Sequence, residues 1–177
     1  MKKLHFKISV FGDGGVGKTS VIQRFIEDEF RTDYKLTIGL DIFDKTIYVG
    51  DYEVELVMFD IGGSSRSEEQ YELFFKGAHG GVFIIDLTRR PTLNSIEAWL
   101  KLFREGSKGK NRNLPVLMVG NKVDLEGEIK ISLEDALDLV IKYGLFGYME
   151  SSAKTGKNVD YIFSVMADEI IKNYEFK

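Results

Sequence analysis

The sequence predicts one α/β domain, spanning residues 1–177, in which helices cover both faces of a mostly parallel, six-stranded sheet. Two short apolar runs, at residues 81–86 and 115–120, are typical of strands buried on both faces of such a sheet. A helical pattern at residues 92–104 lies between these runs, as in a βαβ unit. The chain is long enough to bury a full core. Because it contains no internal repeat and no linker, we expect a single domain.

The remaining strand and helix patterns alternate along the chain. Strands are predicted at residues 6–11, 41–49, 52–59 and 148–151, and helices at residues 20–30, 132–143 and 159–174. The turn Gly50-Asp51 joins two of these strands, and the first of them is expected to run antiparallel at an edge of the sheet. Ser132 is the predicted N-cap of its helix, with Asp135 in the acidic position of a capping box. Ligands of such sheets bind beyond the carboxyl ends of the strands.

The composition excludes several classes of protein. The net charge of −4 argues against nucleic acid as the main partner. The chain has no cysteine, so disulfides and lipid attachment to a thiol are excluded on it. No apolar run approaches the roughly 20 residues of a membrane-spanning helix, and no signal peptide is visible. We therefore expect a cytoplasmic location, with peripheral association with a membrane left open.

A glycine-rich segment follows the first predicted strand. Residues 12–19, Gly-Asp-Gly-Gly-Val-Gly-Lys-Thr, fit the P-loop pattern G-x-x-x-x-G-K-[ST] between a strand and a helix, although a glycine-rich turn without a ligand is the alternative. In a P-loop the backbone N–H groups and the helix N-terminus point at a phosphate chain. Lys18 is expected to neutralise the β- and γ-phosphates, and Thr19 to ligate Mg²⁺. The predicted phosphate-binding residues are Gly14, Gly15, Val16, Gly17, Lys18, Thr19 and Ser20.

Two further segments carry groups suited to Mg²⁺ and to a terminal phosphate. Asp60 follows a predicted strand and can hold Mg²⁺ through water, and Gly63 can offer its N–H to a γ-phosphate. Thr37 lies in a polar loop that could close over a nucleotide and ligate Mg²⁺. Taken alone, the segment at Asp60 also fits a tight Asp-Gly loop without a ligand.

The segment Asn121-Lys122-Val123-Asp124 follows another predicted strand and is suited to guanine. The Asp124 carboxylate can accept from the N1–H and the N2 amino group of guanine, whereas adenine has no donor at either place. Asn121 can bridge neighbouring loops, and the stem of Lys122 can lie along the face of the base. Beyond the last strand, Ser152 can orient Asp124, and the N–H of Ala153 can reach the guanine carbonyl oxygen. A polar loop with a capping Asp is the alternative.

Together these motifs resemble a small GTPase of the Ras superfamily, nearest the Rab-like branch. The resemblance covers the chain from Lys7 to the last helix. It is carried by Gly12–Ser20, Thr37–Asp41, Asp60–Gly63, Gly77–Gly80, Asn121–Asp124 and Glu150–Lys154. It implies a P-loop G domain with one antiparallel edge strand, which binds GTP or GDP with Mg²⁺ and acts as a molecular switch that hydrolyses GTP.

The resemblance also implies roles for single residues and for two segments. Phe30 matches the aromatic residue that packs on guanine, Tyr34 matches the aromatic residue that covers the phosphates, and Lys154 belongs to the base-binding loop. Residues 31–41 and 61–76 correspond to the two switch segments, through which effector, exchange and activating proteins would bind. We expect the protein to be a monomer. The positions implied in catalysis are Lys18, Thr37, Gly63 and Ser64.

Three departures from the family pattern alter these expectations. Ser64 stands where the family usually has the Gln that orients the attacking water, which predicts slow intrinsic hydrolysis, and keeps open a GTP-binding scaffold with negligible hydrolysis. Gln70, Glu68 and Glu69 are other candidates for orienting that water. Gly62 replaces the common Ala and is expected to loosen the loop. The prenylatable cysteine tail of the family is missing, so no lipid anchor is visible in this chain.

Overall fold

A six-stranded sheet organises the computed structural model of the chain, which describes residues 1–30, 37–63, 66–107 and 113–175. The strands are β1 (Lys2–Phe11), β2 (Leu40–Val49), β3 (Tyr52–Ile61), β4 (Gly80–Asp86), β5 (Val116–Asn121) and β6 (Gly147–Glu150). Their order across the sheet is β2-β3-β1-β4-β5-β6. β2 runs antiparallel to β3 at one edge, and all other neighbours are parallel. The predicted fold class is thereby confirmed.

Helices cover both faces of this sheet. They are α1 (Lys18–Glu27), α2 (Glu68–Phe75), α3 (Pro91–Asn94), α4 (Ile96–Gly106), α5 (Leu133–Tyr143) and α6 (Val159–Glu175), with a 3₁₀ turn at Glu126–Glu128. Alternate residues of β4 enter separate apolar clusters: Val82 and Ile84 pack with α1 and α6, and Phe83 and Ile85 pack with α2 and α4. This two-sided burial explains the continuous apolar run of that strand. No helix in the described ranges is long and apolar enough to cross a membrane.

The helix predicted at residues 92–104 is interrupted at Ser95, so that prediction of one continuous helix was wrong. Ser95 ends α3, and α4 begins at the next residue. The Ser95 hydroxyl donates to Asp13 Oδ2 at 2.6 Å, and its oxygen also lies 3.3 Å from the carbonyl oxygen of Pro91. A serine hydroxyl near the carbonyl one turn back competes with the regular hydrogen bonds of a helix. The bond to Asp13 connects this point of the chain to the loop after β1.

Several boundaries differ from the predicted ones by a few residues. β3 continues to Ile61, so Asp60 lies within the strand, opposite Val10 and Asp41, rather than after it. α1 ends at Glu27 because Asp28 adopts a left-handed conformation, with φ of 53°. The capping box at Ser132 and Asp135 forms as predicted. The carboxyl ends of the five parallel strands lie at one edge of the sheet, where the predicted motifs meet.

Candidate nucleotide-binding site

The phosphate loop, defined here as residues 12–19, leaves the end of β1 and leads directly into α1. Gly12 has a φ of 143°, and a Cβ atom there would lie 2.2 Å from the carbonyl oxygen of Ile84 in β4. Only glycine can make this approach to the neighbouring strand. The bend places the N-terminus of α1, with its unpaired backbone N–H groups, at the carboxyl edge of the sheet.

Lys18 is a buried cation enclosed by the phosphate loop. It is 5% exposed, and Nζ donates to the carbonyl oxygens of Gly12 at 2.8 Å and Asp13 at 2.7 Å. Burial lowers the pKa of Lys18 to about 8, although the Asp60 and Asp13 carboxylates act in the opposite direction. An anion in the loop would favour the charged form and compete with the two carbonyls for the ammonium group.

Three side-chain oxygens converge beside Lys18, from α1, from the segment before β2 and from β3. Thr19 Oγ1 donates to Asp60 Oδ2 at 2.5 Å and lies 2.7 Å from Thr37 Oγ1. Thr37 Oγ1 is also 3.4 Å from Asp60 Oδ2. Burial raises the pKa of the Asp60 carboxyl, and hydrogen bonds from Thr19 and the charge of Lys18 oppose that shift.

The Thr19–Thr37–Asp60 group fits a hard divalent cation. Asp60 is fully buried, and its Oδ1 has no hydrogen-bond partner among the described residues. A buried carboxylate oxygen without a donor is costly, and a cation or a cation-bound water at that position would satisfy it. Hydroxyl and carboxylate oxygens are the ligands that Mg²⁺ prefers. The three residues named from the sequence as Mg²⁺ ligands are therefore brought together.

A narrow cavity next to this group has walls from the phosphate loop and from both flanking segments. Its lining residues are Gly14, Gly15, Gly17, Lys18, Thr19, Ser20, Thr37 and Gly63. Gly63 packs so closely on the phosphate loop that a Cβ atom there would lie 2.2 Å from the backbone nitrogen of Gly14. Its lack of a side chain lets the segment after β3 reach the end of the cavity.

Gly62 has a packing role that differs from the loosening expected from the sequence. A Cβ atom at Gly62 would lie 2.7 Å from the carbonyl oxygen of Thr37 and 3.0 Å from that of Gly39. The Gly62 N–H donates to the Gly39 carbonyl at 2.9 Å. The glycine therefore permits close contact between the segments at Thr37 and Gly63.

Asn121, at the end of β5, links three loops. Its Nδ2 donates to the carbonyl oxygen of Val16 at 2.9 Å. Its Oδ1 accepts from Ser151 Oγ and from the Ala153 N–H, both at 3.2 Å. The Ala153 N–H is thus directed at Asn121, and it would have to be shared to bind a guanine oxygen as the sequence predicts. Val16 itself is fully buried and offers only its backbone.

A second cavity, of about 320 Å³, lies beyond Asn121 and adjoins the phosphate loop. Its lining residues are Gly15, Gly17, Ser20, Phe30, Asn121, Lys122, Asp124, Leu125, Ala153 and Lys154. Ser152 Oγ donates to Asp124 Oδ1 at 2.7 Å, which holds one carboxylate oxygen in place. Of the lining residues only Leu125 was absent from the sequence-based candidates, and its position next to Asp124 was the available signal. Tyr34 and Ser64 lie outside the described residues.

Sequence reasoning missed a group of residues behind the phosphate loop. Asp86, the last residue of β4, accepts from Lys122 Nζ at 2.7 Å and from Arg89 Nε at 3.0 Å. Burial raises the pKa of Asp86, but hydrogen bonds from Lys122 and Thr88 outweigh burial and leave the pKa below its ordinary value. A carboxylate that ends an apolar strand was a usable signal, but its partners could not be deduced from spacing.

Trp99 also supports the phosphate loop. Its Nε1 donates to Asp13 Oδ1 at 2.8 Å, and its ring packs edge-on against Tyr71 of α2, with the centroids 5.3 Å apart. Trp99 is the single tryptophan of the chain, so its fluorescence arises at a point between the phosphate loop and α2. The local sequence indicated only a residue on a helix.

Comparison with known proteins gives a consistent result over almost the whole chain. Residues 7–172 match the model of the family described as the Ras family. The chain is 34% identical to Ras-related protein Rab-19 of Rattus norvegicus, over 94% of this chain and 75% of that protein. It is 36% identical to Ras-related protein Rab-13 of Canis lupus familiaris, over 94% and 80%. It is 34% identical to Ras-related protein RABA4a of Arabidopsis thaliana, over 93% and 71%.

Proposed function

The chain belongs to the Ras family, and from that membership we propose that its nucleotide lies across the two cavities at the carboxyl edge of the sheet. Membership makes the protein a GTP-binding molecular switch with GTPase activity, which binds GTP or GDP with Mg²⁺. Its partners are regulator and effector proteins.

The observation that carries the proposed placement is the continuity of the two cavities. Both are lined by Gly15, Gly17 and Ser20, so one groove runs from Thr37 and Gly63 at one end to Asp124 at the other. The first end carries the buried ammonium group of Lys18 and the three side-chain oxygens that fit Mg²⁺. The second end carries the Asp124 carboxylate, which is suited to guanine. A nucleoside triphosphate has the same sequence of chemical groups along its length.

Each part of this groove has a separate role in the proposal. Lys18 leaves the Gly12 and Asp13 carbonyls to neutralise the β- and γ-phosphates, and the N–H groups of the phosphate loop bind their oxygens. Thr19 and Thr37 would hold Mg²⁺ directly, and Asp60 would hold it through water. The bound ion would supply positive charge that neutralises the phosphates during hydrolysis.

The residues at the other end of the groove bind the base. Asp124, oriented by Ser152, accepts from the two donors of guanine. Phe30 and the stem of Lys122 bound the faces of the base. Ala153 and Lys154 close the far side of the cavity.

We further propose that GTP hydrolysis is slow unless a partner assists it. Ser64 replaces the water-orienting Gln, and its side chain is too short by two bonds to reach the same water. Gln70 does not replace it in the described geometry, because its Oε1 accepts from the Ser67 N–H at 3.3 Å in the capping box of α2. A scaffold that binds GTP with negligible hydrolysis is the alternative that Ser64 supports.

Replacing Ser64 by Gln is expected to raise the single-turnover rate of GTP hydrolysis several-fold, without changing the affinity for GDP. The added side chain would hold the water in line with the γ-phosphate, and the wild-type rate should lie below the roughly 10⁻⁴ s⁻¹ of unassisted Ras. Ser64→Ala serves as the control and should match the wild type. An unchanged or lower rate in Ser64→Gln would show that another residue orients the water.

Replacing Thr37 by Ala is expected to weaken binding of a non-hydrolysable GTP analogue about tenfold while GDP affinity stays nearly intact. In this proposal Thr37, which lies beside Thr19 in the segment before β2, ligates Mg²⁺ only when GTP is bound, whereas Thr19 on α1 ligates it with either nucleotide. Competition titrations in Mg²⁺ measure both affinities, with the exposed Thr46→Ala on β2 as the control. Equal losses for GDP and the analogue would contradict the role of Thr37.

The proposed partner surface consists of residues 31–41 and 61–76. In its described part, Ile38 is 87% exposed and Leu73 is 69% exposed, and both are large apolar side chains suited to a protein contact. We propose that the chain is a single G domain spanning residues 1–177, which acts as a monomer in the cytoplasm.

A further inference from the structure

A buried carboxylate at the end of β4 makes hydrogen bonds through both of its oxygens. Asp86 is 1% exposed. Its Oδ1 accepts from the Thr88 N–H at 2.9 Å and from Thr88 Oγ1 at 2.6 Å. Its Oδ2 accepts from Arg89 Nε at 3.0 Å and from Lys122 Nζ at 2.7 Å. Two cations are therefore fixed by one carboxylate directly behind the phosphate loop.

The side chains of Arg89 and Lys122 also donate to the phosphate loop, at two consecutive carbonyl oxygens. Arg89 Nη2 donates to the carbonyl oxygen of Gly14 at 2.8 Å. Lys122 Nζ donates to that of Gly15 at 2.9 Å. The guanidinium of Arg89 is planar, so its bond to Asp86 fixes the direction of its bond to Gly14.

A hydrogen bond that fixes a carbonyl oxygen also fixes the direction of the next residue's N–H, because both belong to one planar peptide unit. In a trans peptide the C=O and the following N–H point in opposite directions. When Arg89 holds the Gly14 carbonyl, the N–H of Gly15 points away from Arg89. Gly14 and Gly15 both line the narrow cavity of the proposed phosphate site.

We propose that Arg89 is a positioning residue for phosphate binding, which holds the Gly14 carbonyl against Asp86 and thereby aims the Gly15 N–H at the phosphates. The proposal rests on the proposed placement of the nucleotide. It assigns Arg89 a role distinct from that of Arg90, which follows it in the chain and pairs with Asp135 at the start of α5 at 2.9 Å. Neighbouring arginines thus offer a matched pair for comparison.

Arg89→Met is expected to weaken binding of both GDP and a GTP analogue about tenfold, which is the scale of one lost hydrogen bond to a charged group. The single-turnover rate of bound GTP should fall as well, because the misdirected amide no longer faces the charge that develops on the phosphates. Arg89→Lys should recover part of the affinity, because an ammonium group can bridge a carboxylate and a carbonyl, as Lys122 does. Arg90→Met should match the wild type in both measurements.

The ratio of the affinities for GTP and for the xanthine nucleotide XTP distinguishes a role of Arg89 in positioning the phosphates from a general disturbance of the site. Arg89→Met should keep the wild-type preference, because its effect falls on the phosphate end of the groove. A changed preference, unchanged affinities, or equal losses in Arg89→Met and Arg90→Met would each overturn the inference. If the wild type itself bound no GTP, the placement of the nucleotide would fail instead. Arg89 is 46% exposed, so thermal unfolding should show that both variants fold.

Discussion

Replacing Asp124 by Asn weakens GTP binding on the order of 100-fold, or about 3 kcal/mol, if its carboxylate receives the two guanine donors. The carboxylate lies at the base end of the groove, and one of its oxygens is already oriented by the Ser152 hydroxyl at 2.7 Å. Asn keeps the size of the side chain but replaces one acceptor by a donor, which then opposes a guanine donor. A buried donor without an acceptor adds to the loss.

The same substitution should increase the affinity for XTP relative to GTP. Xanthine has an oxygen at C2, which can accept from the amide group that the substitution introduces. Competition against a fluorescent guanine nucleotide measures both affinities. Glu126→Gln, an exposed change of the same kind two residues away, is the matched control and should leave both unchanged. Equal GTP affinity in the wild type and Asp124→Asn would refute the assignment of Asp124.

Replacing Lys18 by Met is expected to reduce the affinity for GTP and GDP by about 3 kcal/mol or more, the cost of removing one partner from a buried, hydrogen-bonded charge pair. Met preserves most of the apolar stem but removes the cation that the phosphate loop encloses. Burial depresses the pKa of Lys18, so burying its charge costs stability in the free protein. A bound anion would stabilise that charge. The free protein should therefore fold without it.

Thermal unfolding provides the measurement for Lys18→Met. GDP with Mg²⁺ should raise the midpoint of the wild type by an amount that grows with the logarithm of the ratio of GDP concentration to its dissociation constant, and should raise the midpoint of the variant much less. Lys101→Met, at an exposed position of α4, is the control that should keep the full shift. A full GDP-dependent shift in Lys18→Met would exclude Lys18 from the phosphate site.

The sequence predicted the parts of this molecule that depend on local pattern. Apolar runs mark the strands, and parallel strands bring their carboxyl ends to one edge, so Thr19, Asp60 and Asn121 could be assigned to one region. The capping box at Ser132 was predictable for the same reason, because its two residues are three positions apart.

Contacts between distant segments were not predictable from the chain. The helical pattern is interrupted at Ser95, whose hydroxyl bonds Asp13, 82 positions away. Arg89 reaches Gly14 across 75 positions, and nothing in its local sequence distinguishes it from Arg90. The close approach of Gly62 to the Thr37 carbonyl likewise follows from tertiary packing. The sequence does not show this contact, and for that reason it suggested only a loosened loop at Gly62.

Hydrogen exchange of the wild-type protein with Mg²⁺ and either GDP or a non-hydrolysable GTP analogue tests the central claim of a γ-phosphate-dependent switch most directly. Thr37 and Gly63 line the same end of the groove, so a γ-phosphate there should be bound by both segments at once. We expect residues 31–41 and 61–76 to exchange more slowly with the analogue, while α6 is unchanged. Identical exchange of both segments in the two nucleotide states would contradict the account.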